Sequence, residues 1–426
     1  MHIYLKGEKL TQKHKIIIIA VALIAILLVS TFGIGRLLID SNTEEYEAKV
    51  QELFDSAKQE FENLRNVTLR DVDLVIRTRD WAIENWGRAY ADPDLTNILR
   101  EEKVYKSLFM IPEEASLYQA NVDWAGYIGA ASWGGKVYVI KENFDLSDAL
   151  HAEASLIHEL THIWQRSLPF AENFDEEKAQ AALIEGDASF MGDYFKNQSK
   201  LQANPINAQI NQIPWLLISN PVLKELHPQL PSAISSLNYF PYTYGTPFID
   251  AIMKQGGFSQ VNQAYYNPPN TTKQILHPEN YFANNTAKTV DLPALAEDGW
   301  NQVRNDRYGE YFIQVMLRPG DNWGNWISQA EAKQASEGWT GDNFTYYEQG
   351  NDFLFTWNIQ WETTCDAEEF FVAFNNVLNA TGAQKQNCTH WLYNERYLSF
   401  TYDPENNTTF IAASNLEKAV LPAYFI

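Results

Sequence analysis

The sequence predicts an α+β protein, predominantly helical, with one N-terminal transmembrane helix. Three observations lead there. An uncharged apolar run reads Ile16 to Ile34, long helical periodicities fill the first two thirds of the chain, and strand-like alternation gathers near the end. The 426 residues are 45% hydrophobic and rich in aromatics, which is enough for a large core and excludes a disordered chain.

Taken in order, residues 1–15 form a basic tail. Lys6, Lys9, Lys13 and Lys15 stand against Glu8, a net +3, which leaves −25 on the remainder of a chain whose formal charge is −22. A body so acidic repels phosphate backbones, so nucleic acid is not an expected partner. Residues 16–35 match the length of a bilayer-crossing helix, and lysines before the run set the tail inside and the body outside. The expected partner is therefore the membrane, through an uncleaved single-pass signal-anchor; a cleaved signal peptide is the alternative, although no A-x-A-like site follows the run. An exterior body agrees with the sequons at Asn66, Asn197, Asn270, Asn284, Asn343, Asn379, Asn387, Asn406 and Asn407, which are glycosylation candidates. It also makes a disulfide between Cys365 and Cys388 the expectation.

Residues 36–65 predict a juxtamembrane helix whose stripe of Tyr46, Val50, Leu53, Phe54, Ala57 and Phe61 can dock on the body. A main domain follows over 66–290. Within it Val67–Trp81 alternates like a strand, Glu101–Trp124 is helical with a break at Pro112, and "GKVYVI" from Gly135 is a strand. Asp145 or Ser147 can cap the next helix, which ends before Pro169, and a further helix spans roughly Asp175 to Lys196. A C-terminal α+β region occupies 291–426, with strands in "NDFLFTWNIQW", a helix in "CDAEEFFVAFNNVLNAT" and a hairpin about Pro404–Asn407.

Chemistry concentrates in "SLIHELTHIW". Four residues separate His158 from His162, so a helix puts both on one face, within reach of one metal ion. Glu159 can then address a metal-bound water. A catalytic zinc wants three protein ligands and one open position. Glu185 in "ALIEGDASF" is the candidate third ligand; Gly186 beside it permits a close helix approach, and Asp187 is a candidate to orient a ligand histidine.

"HELTH" followed by "IEGDA" resembles the gluzincin zinc metallopeptidases. The pieces "HELTHIWQ", "ALIEGDASF", "FPYTYGTPFIDAI", "PPNTTKQILHPENY", "ASEGWTGDNFTYYE" and "DAEEFFVAF" resemble, more narrowly, a little-characterised family of secreted or membrane-anchored predicted peptidases of bacteria and archaea. The resemblance implies a zincin-like core: a small sheet with an edge strand, the HExxH helix and a Glu-bearing helix. It implies one catalytic Zn²⁺, Glu159 as general base, a peptide or protein substrate, and an oxyanion donor for which Tyr242 and His277 are the candidates, with Tyr244 behind them. The "GKVYVI" strand would be the edge that pairs with substrate. The narrower family usually carries Glu where Lys273 stands, which puts activity in question. Two functions remain open at this stage: a membrane-anchored extracellular zinc endopeptidase, and a catalytically silent binding or scaffold module. An aminopeptidase, with Glu142 holding the substrate amine, is a third. Nothing in the residues indicates an oligomeric state.

Overall fold

The computed structural model describes residues 43–203, 231–295, 299–320, 323–324 and 326–421. Helix α1 (Thr43–Arg65) begins it. Val50, Phe54, Ala57 and Phe61 recur at helical spacing and are buried, together with Leu156, Ile157 and Leu160 of a later helix. Each large side chain so buried contributes about 1.5–3 kcal/mol. The Ser56 hydroxyl also meets the Glu153 carboxylate at 2.5 Å, so α1 lies against the body along its length.

Strand β1 (Asp73–Arg77) leads into a helical run over 79–91, then α2 (Leu95–Ser107) and α3 (Leu117–Ala125). Strands β2 (Ala130–Trp133) and β3 (Lys136–Ile140) form a hairpin. Gly134 and Gly135 make its turn with φ of +58° and +77°, a conformation that excludes most side chains and suits the right-handed twist of the strands. The hairpin folds β2 onto one side of β3, and β1 pairs in parallel with the other. The sheet order is therefore β1-β3-β2, which corrects the sequence expectation for "GKVYVI". That strand is central, its backbone groups are used on both sides, and β1 and β2 are the edges.

Helix α4 (Ala149–Trp164) starts at Asp148, whose carboxylate accepts from the His151 amide; Asp145 instead closes the preceding turn on Ser147. Helix α5 (Phe174–Ala203) packs along α4 and along α6 (Ser232–Ala264), which bends at Gly256–Gly257. Short helices α7 (Thr272–Leu276) and α8 (Pro278–Phe282) follow.

The remaining elements are β4 (Asn301–Asp306), α9 (Gly309–Leu317), α10 (Gln329–Glu337), β5 (Trp339–Gln349), β6 (Asp352–Trp361), α11 (Thr364–Ala380), β7 (Gln384–Lys385), β8 (His390–Tyr393), β9 (Arg396–Asp403) and β10 (Thr408–Ser414). The strands make one antiparallel sheet in the order β4-β5-β6-β10-β9-β8-β7. Register aligns Phe344, Trp357, Ile411 and Phe400 in one row across four strands. That row meets Phe312 of α9 and Phe370 and Phe374 of α11. The same core continues into Ile98, Trp124, Phe240 and Phe248 of the helical part. At the junction the buried Asp175 carboxylate, at the start of α5, accepts from the Thr272 amide and hydroxyl and from Arg307 Nε.

Two sequence expectations are corrected. Among the described residues no helix is long and apolar enough to cross a membrane, and the span assigned to 16–35, with the tail at 1–15, lies outside them. The membrane partner, the signal-anchor and the single-pass outward topology thus have no support among the described residues. The cysteines are both exposed free thiols, not a disulfide. Cys365 sits in the first turn of α11, under the capping box of Thr363 and Asp366. Cys388 lies in the bend before β8, shaped by bonds of the Asn387 side chain to Thr389 and His390. Each segment is held by its own local hydrogen bonds.

Candidate metal centre

Helical pitch stacks His158 and His162 on one face of α4, with ring centroids 4.7 Å apart. Helix α5 brings Glu185 to the same point. The two Nε2 atoms are 3.1 Å apart, and Glu185 Oε2 is 3.3 Å from each. Three ligands at about 2.0–2.1 Å from a tetrahedral zinc stand about 3.3–3.4 Å from one another. The triangle of donor atoms matches that edge. No hydrogen-bond partner serves either buried oxygen of Glu185, which is 1% exposed. An ionised carboxylate left so in a protein interior is costly unless a cation meets it. The donor set of two imidazoles and one carboxylate, with unsatisfied oxygens, therefore fits a divalent zinc. Among the described residues these three form the one His/Cys/Asp/Glu group with such convergence.

With protein groups alone, the same field acts on a proton. Burial lowers the affinity of His158 for a proton. Burial acts the same way on His162, but the Glu185 carboxylate outweighs it and carries that imidazole up to about 9. Burial would raise Glu185, and the charge of His162 with contacts from both imidazoles holds it at about 2 instead. The triad thus keeps a negative carboxylate against one captured cation.

Gln165, one turn-step past His162, orients that ring. Its Oε1 lies 2.8 Å from His162 Nδ1 and its Nε2 donates to the Ile184 carbonyl at 2.8 Å. This keeps the proton on Nδ1, so that the Nε2 position beside Glu185 is the one at which a metal would displace a proton. Ser189 is 3.5 Å from His158 Nδ1, at the limit of a hydrogen bond. Neither residue is singled out by the sequence; a polar residue three or four positions from a ligand on its own helix is the only signal.

Glu159 is 3% exposed, beside His158, and its Oε2 has no hydrogen-bond partner. Burial raises it to about 8; the His162 charge opposes this, the Glu185 charge adds to it, and a bond from Ser132 of β2 opposes it more weakly. Tyr242 of α6 stacks over His158, centroids 6.2 Å apart. Its seat depends on two glycines. A Cβ on Gly186 would stand 2.4 Å from the Gly245 backbone, and one on Gly245 would stand 2.3 Å from the Ala182 carbonyl, so α5 and α6 touch backbone to backbone one turn from Tyr242.

The other candidates lie elsewhere. His277 bonds Glu310 at 2.8 Å through Nε2, and that bond raises its pKa. Tyr244 packs against Phe240 and Tyr311. Lys273 donates to the carbonyls of Glu337 and Trp339, tying α7 to the start of β5. Asp187 is held by Arg65 and Tyr265, not by a ligand histidine. Glu142 accepts from the Arg79 amide. Of the sequon asparagines, Asn66, Asn197, Asn284, Asn379, Asn387 and Asn406 are exposed; Asn270, Asn343 and Asn407 are half-buried, and the Asn343 amide is bonded to the Val290 carbonyl.

Comparison with known proteins adds little about the metal-bearing part. Residues 295–420 match a family model described as a domain of unknown function (DUF8575), well under half of the chain. No curated protein matches. One solved structure, described as "a putative hydrolase with a novel fold" from Chloroflexus aurantiacus, is similar at 14% identity over 65% of this chain and 98% of that one, with a TM-score of 0.32, a likeness too slight to carry an argument. What stands on geometry is a candidate His158–His162–Glu185 metal site of gluzincin-like pattern, consistent with a metalloenzyme.

Proposed function

We propose that this protein is a zinc-dependent peptidase of gluzincin type. The observation that carries the reading is the triangle of His158, His162 and Glu185 donor atoms at tetrahedral spacing, with the buried carboxylate of Glu159 directly beside it. Zinc, when bound, supplies Lewis acidity and lowers the pKa of a coordinated water towards 7. The chain's own residues do the rest. Glu159 accepts the proton of the attacking water and passes it to the leaving amine. Its burial favours a group that both takes and returns a proton near neutral pH, and a nearby cation would draw its elevated pKa down. Tyr242, whose ring faces His158, is our candidate to donate to the developing oxyanion; His277, paired with Glu310, is the weaker candidate. The use of Glu142 to cap the helical run at Arg79 favours internal cleavage over removal of an N-terminal residue.

The test is paired. Zinc content of the purified protein should be one ion per chain, and a broad peptide library should be cleaved. Glu159→Gln should keep the zinc and lose about 10²–10⁴-fold in rate. Stoichiometric zinc without cleavage by the wild type would leave a binding or scaffold module instead. Tyr242→Phe should lower kcat more than it changes KM.

A further inference from the structure

Arg65 closes α1, 93 positions before the first of the three ligand residues, yet its side chain is 1% exposed. Its guanidinium holds the Asp187 carboxylate with two contacts, 3.1 Å and 3.3 Å, and donates to Asn262 Oδ1 at 3.3 Å. The Trp164 ring covers one aromatic contact at 4.2 Å and Phe258 another at 4.5 Å. The Tyr265 hydroxyl completes Asp187 at 2.9 Å.

Each of these partners belongs to a helix that carries a metal ligand or, for α6, the Tyr242 ring that faces His158. Trp164 is two residues beyond His162 on α4. Asp187 is two residues beyond Glu185 on α5. Phe258 and Asn262 lie on α6, past the bend from Tyr242, and Tyr265 caps that helix. One buried cation thus touches all three helices of the centre from a fourth. A buried ion pair is a poor source of stability compared with apolar packing, and its attested use is to select one arrangement. The planar fork serves a carboxylate and two aromatic rings at once, which a lysine ammonium cannot do.

We propose that Arg65 is a positioning residue that couples the docking of α1 to metal binding at His158, His162 and Glu185. The inference rests on the metal-site reading above. By linkage the coupling is reciprocal: a docked α1 tightens metal binding, and bound metal protects α1.

The full chain is compared with Arg65→Lys and Tyr265→Phe. Zinc affinity is read by competition with a chromophoric chelator, and hydrogen exchange of residues 43–65 is read with and without zinc. In the wild type, zinc should slow exchange in α1. Arg65→Lys should weaken zinc binding about tenfold and remove that protection. Tyr265→Phe should shift affinity less, in the same direction. A folded Arg65→Lys protein with wild-type zinc affinity, or one merely less stable with affinity intact, overturns the proposal. Should Arg65→Lys not fold, α1 exchange indifferent to zinc in the wild type together with unchanged affinity in Tyr265→Phe overturns it equally. A wild type that binds no zinc sinks the metal reading itself, and the coupling with it.

Discussion

Two buried carboxylates in this protein face opposite circumstances. Asp342, in the sheet region, accepts four hydrogen bonds: from the amides of Tyr308 and Gly309 and from the indoles of Trp339 and Trp357. Glu185, in the helical region, is equally buried and its oxygens have none. The first is a knot that ties β5, β6 and the start of α9 together. The second has only the two imidazoles against it, in a triangle of metal-ligand size. The difference separates structure from chemistry: a saturated buried charge holds a fold, and an unsaturated one awaits a cation.

The largest expected effect breaks that contrast directly. Asp342→Ala orphans four donors and should cost about 4 kcal/mol or more of stability in urea unfolding, while any folded protein keeps its zinc affinity. Glu185→Ala should do the reverse, losing stoichiometric zinc while the metal-free protein unfolds near the wild-type midpoint. If both variants lose stability alike and bind zinc alike, the contrast is wrong.

Acidification sharpens it next. His162 is carried up to about 9 in the protein alone, so below that pH a proton competes for the ligand nitrogen. Zinc affinity should fall about tenfold per pH unit, about a hundredfold between pH 8 and pH 6, and level off above about 9. A flat profile over that range in metal titrations would show that no proton is displaced. Smallest is Gly245→Ala. Its Cβ would press on the Ala182 carbonyl, which as backbone cannot give easily. The cost should be about 1–3 kcal/mol in thermal unfolding, with Tyr242 displaced from His158. The sheet region offers a control in Gly350, where a Cβ meets nothing within 4 Å.

Much of the candidate site was legible in the residue order. The i, i+4 pair of histidines needs only helical pitch to converge; Gly186 beside Glu185 does sit at a close helix crossing, but with α6 and not with the histidine helix. The partner at that crossing, Gly245, was not legible, because nothing in either helix's period says which helix it meets. Asp187 was misassigned for the same reason: its position on α5 was clear, but the residue that meets it comes from α1, 122 positions away. Gln165 carries little sequence signal, because its role depends on a rotamer that links two helices.

Local physics also accounts for the β9–β10 hairpin and for α11 with its apolar stripe, both expected from alternation and period. By itself, then, the sequence determined the elements whose cause lies within a few residues: turns, caps, helix faces and the ligand pair on α4. The tertiary structure alone decided that β3 is central, that Arg65 meets Asp187 beside the Glu185 helix face, that Cys365 and Cys388 are free thiols, and that Glu185 has only the two imidazoles against it. Those features depend on how segments distant in the chain are brought together, and a period of 2 or 3.6 residues carries no information about that.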